Sequence, residues 1–246
     1  TQGVSSAASD VYKRQYLAGG ANYGFANGGE GNDLIDATQA NDTRVLSGEN
    51  GMDQIWGSPG NDNISGGQDD DSLDGGGGDD KIYGGYGDDQ ITSNGGDNEL
   101  FGDDGDDIII AGSGEDIVQG GEGDDQITGG GGNDVIYGGA SSGKSADADI
   151  DTYRLSGGKD NYRLSRVTDS TYDYAYFIQD IRDSSADGLN TLYDIDKLQF
   201  SDDSQINLAE YYAEKLGEGP SGETITGSEV DDLSLIHISE PTRPLY

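Results

Sequence analysis

GENGMDQIW (residues 48–56) opens a run of ten nine-residue units that contains no insertion. The other nine units are GSPGNDNIS, GGQDDDSLD, GGGGDDKIY, GGYGDDQIT, SNGGDNELF, GDDGDDIII, AGSGEDIVQ, GGEGDDQIT and GGGGNDVIY, and Gly138 and Gly139 begin an eleventh. The sixth position is Asp in nine of the ten units and Asn in the unit SNGGDNELF (Asn98), and the eighth position is always aliphatic. A short period kept over so many units predicts a solenoid.

Each unit divides into a tight loop and a short strand. Glycines recur at positions one, two and four, where a sharp change of direction needs a residue that reaches positive φ without a steric clash. The three residues around the aliphatic position are predicted to form a strand that points one side chain inward. Two units then complete one circuit of a flattened coil, so residues eighteen apart stack on the same side.

This stacking predicts two columns of sixth-position residues. The first column carries Asp53, Asp71, Asp89, Asp107 and Asp125, and the second column carries Asp62, Asp80, Asn98, Asp116 and Asp134. Carboxylates beside outward-facing backbone carbonyls supply the oxygen ligands that Ca²⁺ prefers. An ion between each vertical pair would give about eight sites at most. Because the amide of Asn98 brings no charge, the two gaps beside it are expected to bind most weakly.

Three units, GGYGDDQIT, GGEGDDQIT and GGGGNDVIY, match the pattern GGxGxDxUx at every defined position. The stretch therefore resembles the RTX (hemolysin-type) calcium-binding repeats. The resemblance implies an all-β fold, a parallel β-roll that binds Ca²⁺, in proteins exported by bacterial type I secretion. A weaker match at GGEGNDLID (28–36) adds Asp33 to the candidate calcium ligands.

Composition narrows the possible partners. The chain has 49 acidic and 13 basic residues, and residues 48–139 hold 23 acidic residues and one basic residue, Lys81. Without cations this segment is expected to be disordered, and its charge argues against nucleic acid as a partner. No apolar run approaches the ~20 residues of a transmembrane helix. Zero cysteines exclude disulfides and thiolate chemistry, which suits export.

The rest of the chain divides by composition. The ends share nothing with the repeats, and both are predicted to be non-native sequence derived from sequencing adaptors. The predicted divisions are 1–15 (non-native), 16–47 (irregular repeats), 48–139 (regular roll), 140–217 (a small, mostly β module), 218–233 (start of a second, truncated array) and 234–246 (non-native).

Local patterns within the module give four further expectations. The alternating tyrosines of TYDYAYFIQDI (171–181) predict a strand, whereas the apolar spacing of LNTLYDID (189–196) predicts a helical turn. Residues 208–216 are predicted to form a short helix. DADID (147–151) has the spacing that starts an EF-hand loop but lacks the later Gly and Glu. Two interpretations of DADID stay open, a single capping Ca²⁺ site and a solvated acidic linker.

No catalysis is expected. GGASSGKS (138–145) spells a P-loop, but repeats precede it and an acidic run follows, instead of the strand and helix that a P-loop requires. The GxSxG string within it lacks a histidine partner, because the one histidine, His237, falls in the predicted non-native tail. The HExxH pattern of zinc proteases is absent from the sequence.

The expected function is calcium binding that folds a secreted protein outside the cell, as a monomer. The type I secretion apparatus is the expected partner, engaged through a longer parent protein. Two alternatives stay open: the calcium-binding C-terminal part of a secreted hydrolase, either a protease or a lipase, and a repeat segment of a large adhesin.

Overall fold

The structure is a computed structural model that describes residues 14–16, 24–40, 44–139, 149–169, 173–182 and 187–216. Most of the regular structure in these ranges is β-strand, arranged in two ten-stranded sheets. The predicted all-β class is confirmed. The strands of the roll are three or six residues long, because each nine-residue unit must also contain the turn that reverses the chain.

The first sheet contains one strand from every second unit of the repeat array. In spatial order its strands are β1 (Arg14–Tyr16), β3 (Leu34–Asp36), β5 (Gln54–Trp56), β7 (Ser72–Asp74), β9 (Gln90–Thr92), β11 (Ile108–Ser113), β13 (Gln126–Gly131), β15 (Thr152–Arg154), β19 (Lys197–Gln199) and β20 (Gln205–Asn207).

The second sheet takes the alternate units. In spatial order its strands are β2 (Phe25–Glu30), β4 (Val45–Asn50), β6 (Asn63–Gln68), β8 (Lys81–Tyr86), β10 (Glu99–Asp104), β12 (Ile117–Glu122), β14 (Val135–Tyr137), β18 (Leu189–Tyr193), β17 (Asp173–Asp180) and β16 (Tyr162–Asp169).

Parallel pairing with an offset of eighteen residues makes the array a β-roll. Ile55 pairs with Leu73, and Leu73 pairs with Ile91 on the next circuit. Strands β2–β13, two to a circuit, complete about six circuits. The irregular repeats join in the same phase, because Ile35 pairs with Ile55 across an offset of twenty. The predicted parallel β-roll is confirmed.

The core is a double row of aliphatic side chains between the two sheets. At most 1% of the surface of each eighth-position residue is exposed: Ile55, Ile64, Leu73, Ile82, Ile91, Leu100, Ile109, Val118, Ile127 and Ile136. Each such side chain contributes roughly 1.5–3 kcal/mol on burial. Since the residue directly opposite on the next circuit is also aliphatic, the rows run continuously along the roll.

The module after the array continues both sheets. Strand β14 pairs in parallel with β18, and β13 pairs in parallel with β15, which in turn pairs with β19. Strands β16, β17 and β20 then add antiparallel neighbours, which end the stacking of parallel circuits. A 3₁₀ turn at Lys159–Asn161 connects β15 to β16.

Local predictions within the module have mixed outcomes. Residues 189–193 form strand β18, so the predicted helical turn is wrong, because hydrogen bonds to β14 and β17 on both sides outweigh the spacing of the apolar residues. The tyrosine-rich strand is confirmed as β17. The helix α1 (Leu208–Leu216) has the predicted bounds, and nearly all of it belongs to a second compact unit that begins at Ala209.

The structure does not test the predictions for the two ends of the chain and for the second repeat array. Residues 218–233 and 234–246 lie outside the described ranges, as do most of residues 1–15. Strand β1 includes Arg14 and Gln15 and pairs with β3. This pairing does not test the origin of the sequence, so the non-native origin of residues 1–15 stays a prediction. No helix within the described ranges has the length and hydrophobicity that crossing a membrane requires.

Some glycines of the repeat allow successive circuits to approach closely. Gly85, near the end of β8, has a φ of +121°, and a Cβ atom there would overlap the carbonyl oxygen of Gly67 on the preceding circuit. A Cβ atom at Gly77, in the loop after β7, would lie in open space. The roll therefore requires glycine at position 85 for steric reasons, whereas position 77 has room for a side chain.

We expect Gly85→Ala to lower the free energy of unfolding by about 1–3 kcal/mol or more through overpacking. The control Gly77→Ala should change it by no more than about 0.5 kcal/mol, because its new methyl group meets no neighbour. Urea unfolding at saturating Ca²⁺, followed by circular dichroism, measures both variants. Equal losses would show that the close approach at Gly85 does not limit the roll.

Candidate metal centre

The candidate ligands lie in two columns because each one immediately precedes a strand of the roll. Asp71, Asp89 and Asp107 directly precede β7, β9 and β11, and the parallel register of these strands stacks them one circuit apart. All eleven predicted residues are buried, with at most 3% of their surface exposed. The first column is Asp33, Asp53, Asp71, Asp89, Asp107 and Asp125, and the second column is Asp62, Asp80, Asn98, Asp116 and Asp134.

One oxygen of each carboxylate forms a ladder that joins successive circuits. The backbone N–H of Asp53 donates to Oδ1 of Asp71 (2.7 Å), and that of Asp71 donates to Oδ1 of Asp89 (2.7 Å). The same hydrogen bond links Asp89 to Asp107 (2.8 Å) and Asp107 to Asp125 (2.9 Å). Asp33 joins the ladder through its N–H, which donates to Oδ1 of Asp53 (2.6 Å). The column carboxylates therefore also link successive circuits of the roll by hydrogen bonds.

The other oxygen of these carboxylates points to a cation. On the first column, four successive buried atoms receive no hydrogen bond from any described residue: Oδ2 of Asp71, Asp89, Asp107 and Asp125. A methyl group added at Gly84 would overlap both Asp89 Oδ2 and the carbonyl oxygen of Gly102, so two oxygens border one small gap. Burying a carboxylate without a partner is costly. These residues fit a hard cation that binds oxygen, such as Ca²⁺.

Backbone carbonyls would have to supply much of the coordination. Within the described ranges, no group of three or more His, Cys, Asp and Glu side chains converges on one point. Each ion would therefore draw on one or two carboxylates and on the carbonyls of the glycine-rich loops. Ca²⁺ accepts this mixture of ligands.

Burial raises the pKa of the column carboxyls. The pKa of Asp71, Asp107 and Asp125 is raised from 3.8 to about 8, chiefly by burial, although the backbone N–H that each carboxylate accepts lowers it. Neighbouring carboxylates raise these pKa values further. Burial likewise raises the pKa of Asp89 and Asp134 to about 7. A cation beside these groups would favour their charged form instead.

The second column is less uniform than the first. Asp62 Oδ2 accepts a hydrogen bond from the backbone N–H of Ser58 (2.5 Å), and Asp80 Oδ2 accepts one from the Ser93 hydroxyl (3.4 Å). Arg44 directly precedes β4, where other circuits have Asp or Asn. It is 2% exposed, and its backbone N–H donates to Asp62 Oδ1 (2.6 Å).

Both columns continue into the module, through residues that the sequence analysis did not place there. The N–H of Asp125 donates to Oδ1 of Asp151 (3.0 Å), and the N–H of Asp151 donates to Oδ2 of Asp196 (3.0 Å). On the second column, the N–H of Asp134 donates to Oδ1 of Asn190 (2.8 Å). The interpretation of DADID as a solvated linker is wrong for Asp151, which is 4% exposed.

A weaker signal for these three residues exists in the sequence. Each is followed two positions later by a buried large side chain, namely Tyr153, Leu192 or Leu198. This is the Asp/Asn–x–apolar part of the repeat without its glycines. Searching for that triplet alone, irrespective of the nine-residue spacing, would have found the continuation of the columns.

The repeat array matches a known family. The RTX calcium-binding nonapeptide repeat matches in four copies, over residues 17–43, 47–82, 83–118 and 110–142, which together cover half of the chain. These ranges contain all eleven predicted ligands, whereas Asp151, Asn190 and Asp196 lie beyond them. No curated protein matches the chain in sequence.

The raised pKa values predict how the cation-free chain responds to pH. Because the pKa of Asp71, Asp107 and Asp125 rises from 3.8 to about 8 on folding, the folded state binds more protons than the unfolded state between these values. The stability of the cation-free roll therefore falls as pH rises through this window and is greatest at its acidic end. We expect β-sheet circular dichroism of the cation-free chain to increase as pH is lowered from about 8 to about 4.

The control is the same titration at saturating Ca²⁺. There the carboxylates stay charged and coordinated, so the signal should change little above pH ~6. A cation-free chain that loses β-structure on acidification would contradict the prediction.

Proposed function

The chain belongs to the RTX calcium-binding nonapeptide repeat family, and we propose that calcium ions bind along its two columns and that at neutral pH the roll folds only when they bind. The observation that carries the proposal is the run of four buried Oδ2 atoms on the first column that receive no hydrogen bond from any described residue. Bound ions would neutralise the stacked carboxylates and cross-link successive circuits. The binding free energy would thereby become folding free energy.

Charge density supports the link between calcium and folding. Residues 48–139 carry 23 acidic residues and one basic residue, so the uncompensated roll repels itself. Carboxylates separated along an unfolded chain are hydrated and far apart, whereas folding stacks them out of water. Cations remove most of this penalty for the folded state alone, and they therefore shift the equilibrium toward it.

Calcium-dependent folding fits a protein that crosses a membrane unfolded. We propose an extracellular location, reached by type I secretion of a longer parent protein. The chain would stay unfolded where free Ca²⁺ is scarce and fold on meeting higher Ca²⁺ outside the cell. The absence of cysteine from the sequence suits this route, because folding then needs no disulfide chemistry.

The proposal assigns no catalytic step to this chain. A secreted hydrolase and a large adhesin, the two wider roles considered above, would both use the roll in the same way. In either case the roll is a calcium-folded unit attached to the part of the protein that acts. The proposal therefore concerns the roll itself and is independent of the activity of its parent.

Calcium titration of the full chain tests the proposal. We expect the β-sheet circular dichroism signal to be weak without divalent cations and to rise cooperatively at sub-millimolar to millimolar Ca²⁺. Mg²⁺ should not substitute, because it requires a tighter octahedral shell and gives up its water reluctantly. A cation-free chain with the same spectrum at neutral pH as the calcium-loaded chain would refute calcium-dependent folding.

A further inference from the structure

Asn98 is the one amide among the sixth-position residues of the regular units. Its side-chain atoms Oδ1 and Nδ2 make different hydrogen bonds. Its Oδ1 accepts the backbone N–H of Asp80 (2.9 Å), as the ladder requires. Its Nδ2 lies within hydrogen-bonding distance of three oxygens: Gly96 O (3.0 Å), Ala111 O (3.3 Å) and Asp116 Oδ1 (2.9 Å). One carboxylate oxygen and two backbone carbonyls therefore converge on a single nitrogen.

The hydrogen-bond network fixes the orientation of this amide. Rotating the Asn98 side chain by half a turn would place Nδ2 against the N–H of Asp80, so that two donors would face each other. It would also place Oδ1 against three other oxygens, all of which are acceptors. Only the orientation with nitrogen toward the three oxygens satisfies every group.

The equivalent position on the first column shows what the nitrogen replaces. Asp89 occupies it, and its Oδ1 accepts the N–H of Asp71 (2.7 Å), as Asn98 Oδ1 accepts that of Asp80. Its Oδ2 then corresponds to Asn98 Nδ2, but it is buried and receives no hydrogen bond from the described residues. It shares a small gap with the carbonyl oxygen of Gly102, the counterpart of Ala111 O. Oxygen faces oxygen at Asp89, and a cation is needed to hold the atoms together.

We propose that the Asn98 amide nitrogen takes the place of a calcium ion between the circuits that carry Asn98 and Asp116, so that this gap is closed without metal. The inference rests on the proposed function, because it supposes that the equivalent gaps of the first column bind Ca²⁺. It changes the expected role of Asn98 from a weak calcium ligand to a substitute for the ion.

Protein donors also serve the second column on the N-terminal side of Asn98. Asp80 Oδ2 accepts the Ser93 hydroxyl, and Asp62 Oδ2 accepts the N–H of Ser58. At the end of this column, Arg44 is a buried cation whose backbone N–H donates to Asp62 Oδ1 (2.6 Å). From Arg44 to Asn98, the second column therefore supplies its own hydrogen-bond donors and positive charge to the buried carboxylates. On the first column, calcium would have this role. The roll should bind fewer ions than the eight gaps of two equal columns.

Two mirror-image substitutions test the proposal. Asn98→Asp replaces the nitrogen with an oxygen and should create a calcium site, so the variant should bind one ion more than the parent chain. Asp89→Asn gives the first column the chemistry of Asn98 and should bind at least one ion fewer while keeping its β-sheet circular dichroism. The number of Ca²⁺ ions per folded full chain, from native mass spectrometry at saturating Ca²⁺, is the measurement. The controls are the parent chain and Gly77→Ala, whose new methyl group meets no neighbour.

An Asn98→Asp variant that binds the same number of ions, with only its affinity changed, would overturn the proposal, since Asn98 would then already be a ligand. If Asn98→Asp does not fold, Asp89→Asn decides alone: an unchanged ion count overturns the proposal, and a reduced count in a folded chain supports it. A parent chain that binds no calcium would instead refute the proposed function. The two failures are therefore distinguishable.

Discussion

Stacked carboxylates in register are the constraint on which the rest of the roll depends. The parallel offset of eighteen residues that aligns Ile55 with Leu73 also places Asp53 directly below Asp71. A continuous apolar core therefore cannot form without bringing like charges together out of water. The ladder of N–H donors occupies only one oxygen of each carboxylate, and burial raises the pKa of carboxyl groups such as that of Asp71. The fold consequently requires a cation or a hydrogen-bond donor for the second oxygen of the column carboxylates.

The two columns meet this constraint in different ways. On the first column, the unpartnered oxygens of Asp71 to Asp125 call for an external cation, which links folding to its concentration. On the second column from Asp62 to Asn98, Ser58, Ser93 and the Asn98 amide supply hydrogen bonds that are present at any calcium concentration, whereas Oδ2 of Asp116 and Oδ2 of Asp134 receive none from the described residues. A hydrogen bond of this kind contributes about 1 kcal/mol, less than a multidentate ion, but it does not depend on the solution. The balance between the two kinds of partner sets how sharply the roll responds to calcium.

The module first continues the parallel strands of the repeat array and then adds antiparallel strands. Strands β15, β18 and β19 extend the two sheets in the parallel register of the array, and Asp151, Asn190 and Asp196 extend the columns. The antiparallel strands β16, β17 and β20 then change the direction of pairing. A solenoid needs such an atypical end, because the last regular circuit would otherwise expose its core and an unpaired strand.

The sequence by itself determined the period, the two sheets, the aliphatic core and the ten stacked residues of the regular units, because all of these follow from a nine-residue unit repeated without insertion. The helix α1 also has the bounds that its local sequence predicts. Only the tertiary structure decided that residues 189–193 form a strand and that Asp151, Asn190 and Asp196 complete the columns, since their partners lie between 26 and 56 residues away. The role of Asn98 was likewise invisible in the sequence, where an amide in an acidic column resembles a weaker ligand. Which of its two atoms faces the gap is fixed by the N–H of Asp80 on the neighbouring circuit, and that contact exists only in the folded roll.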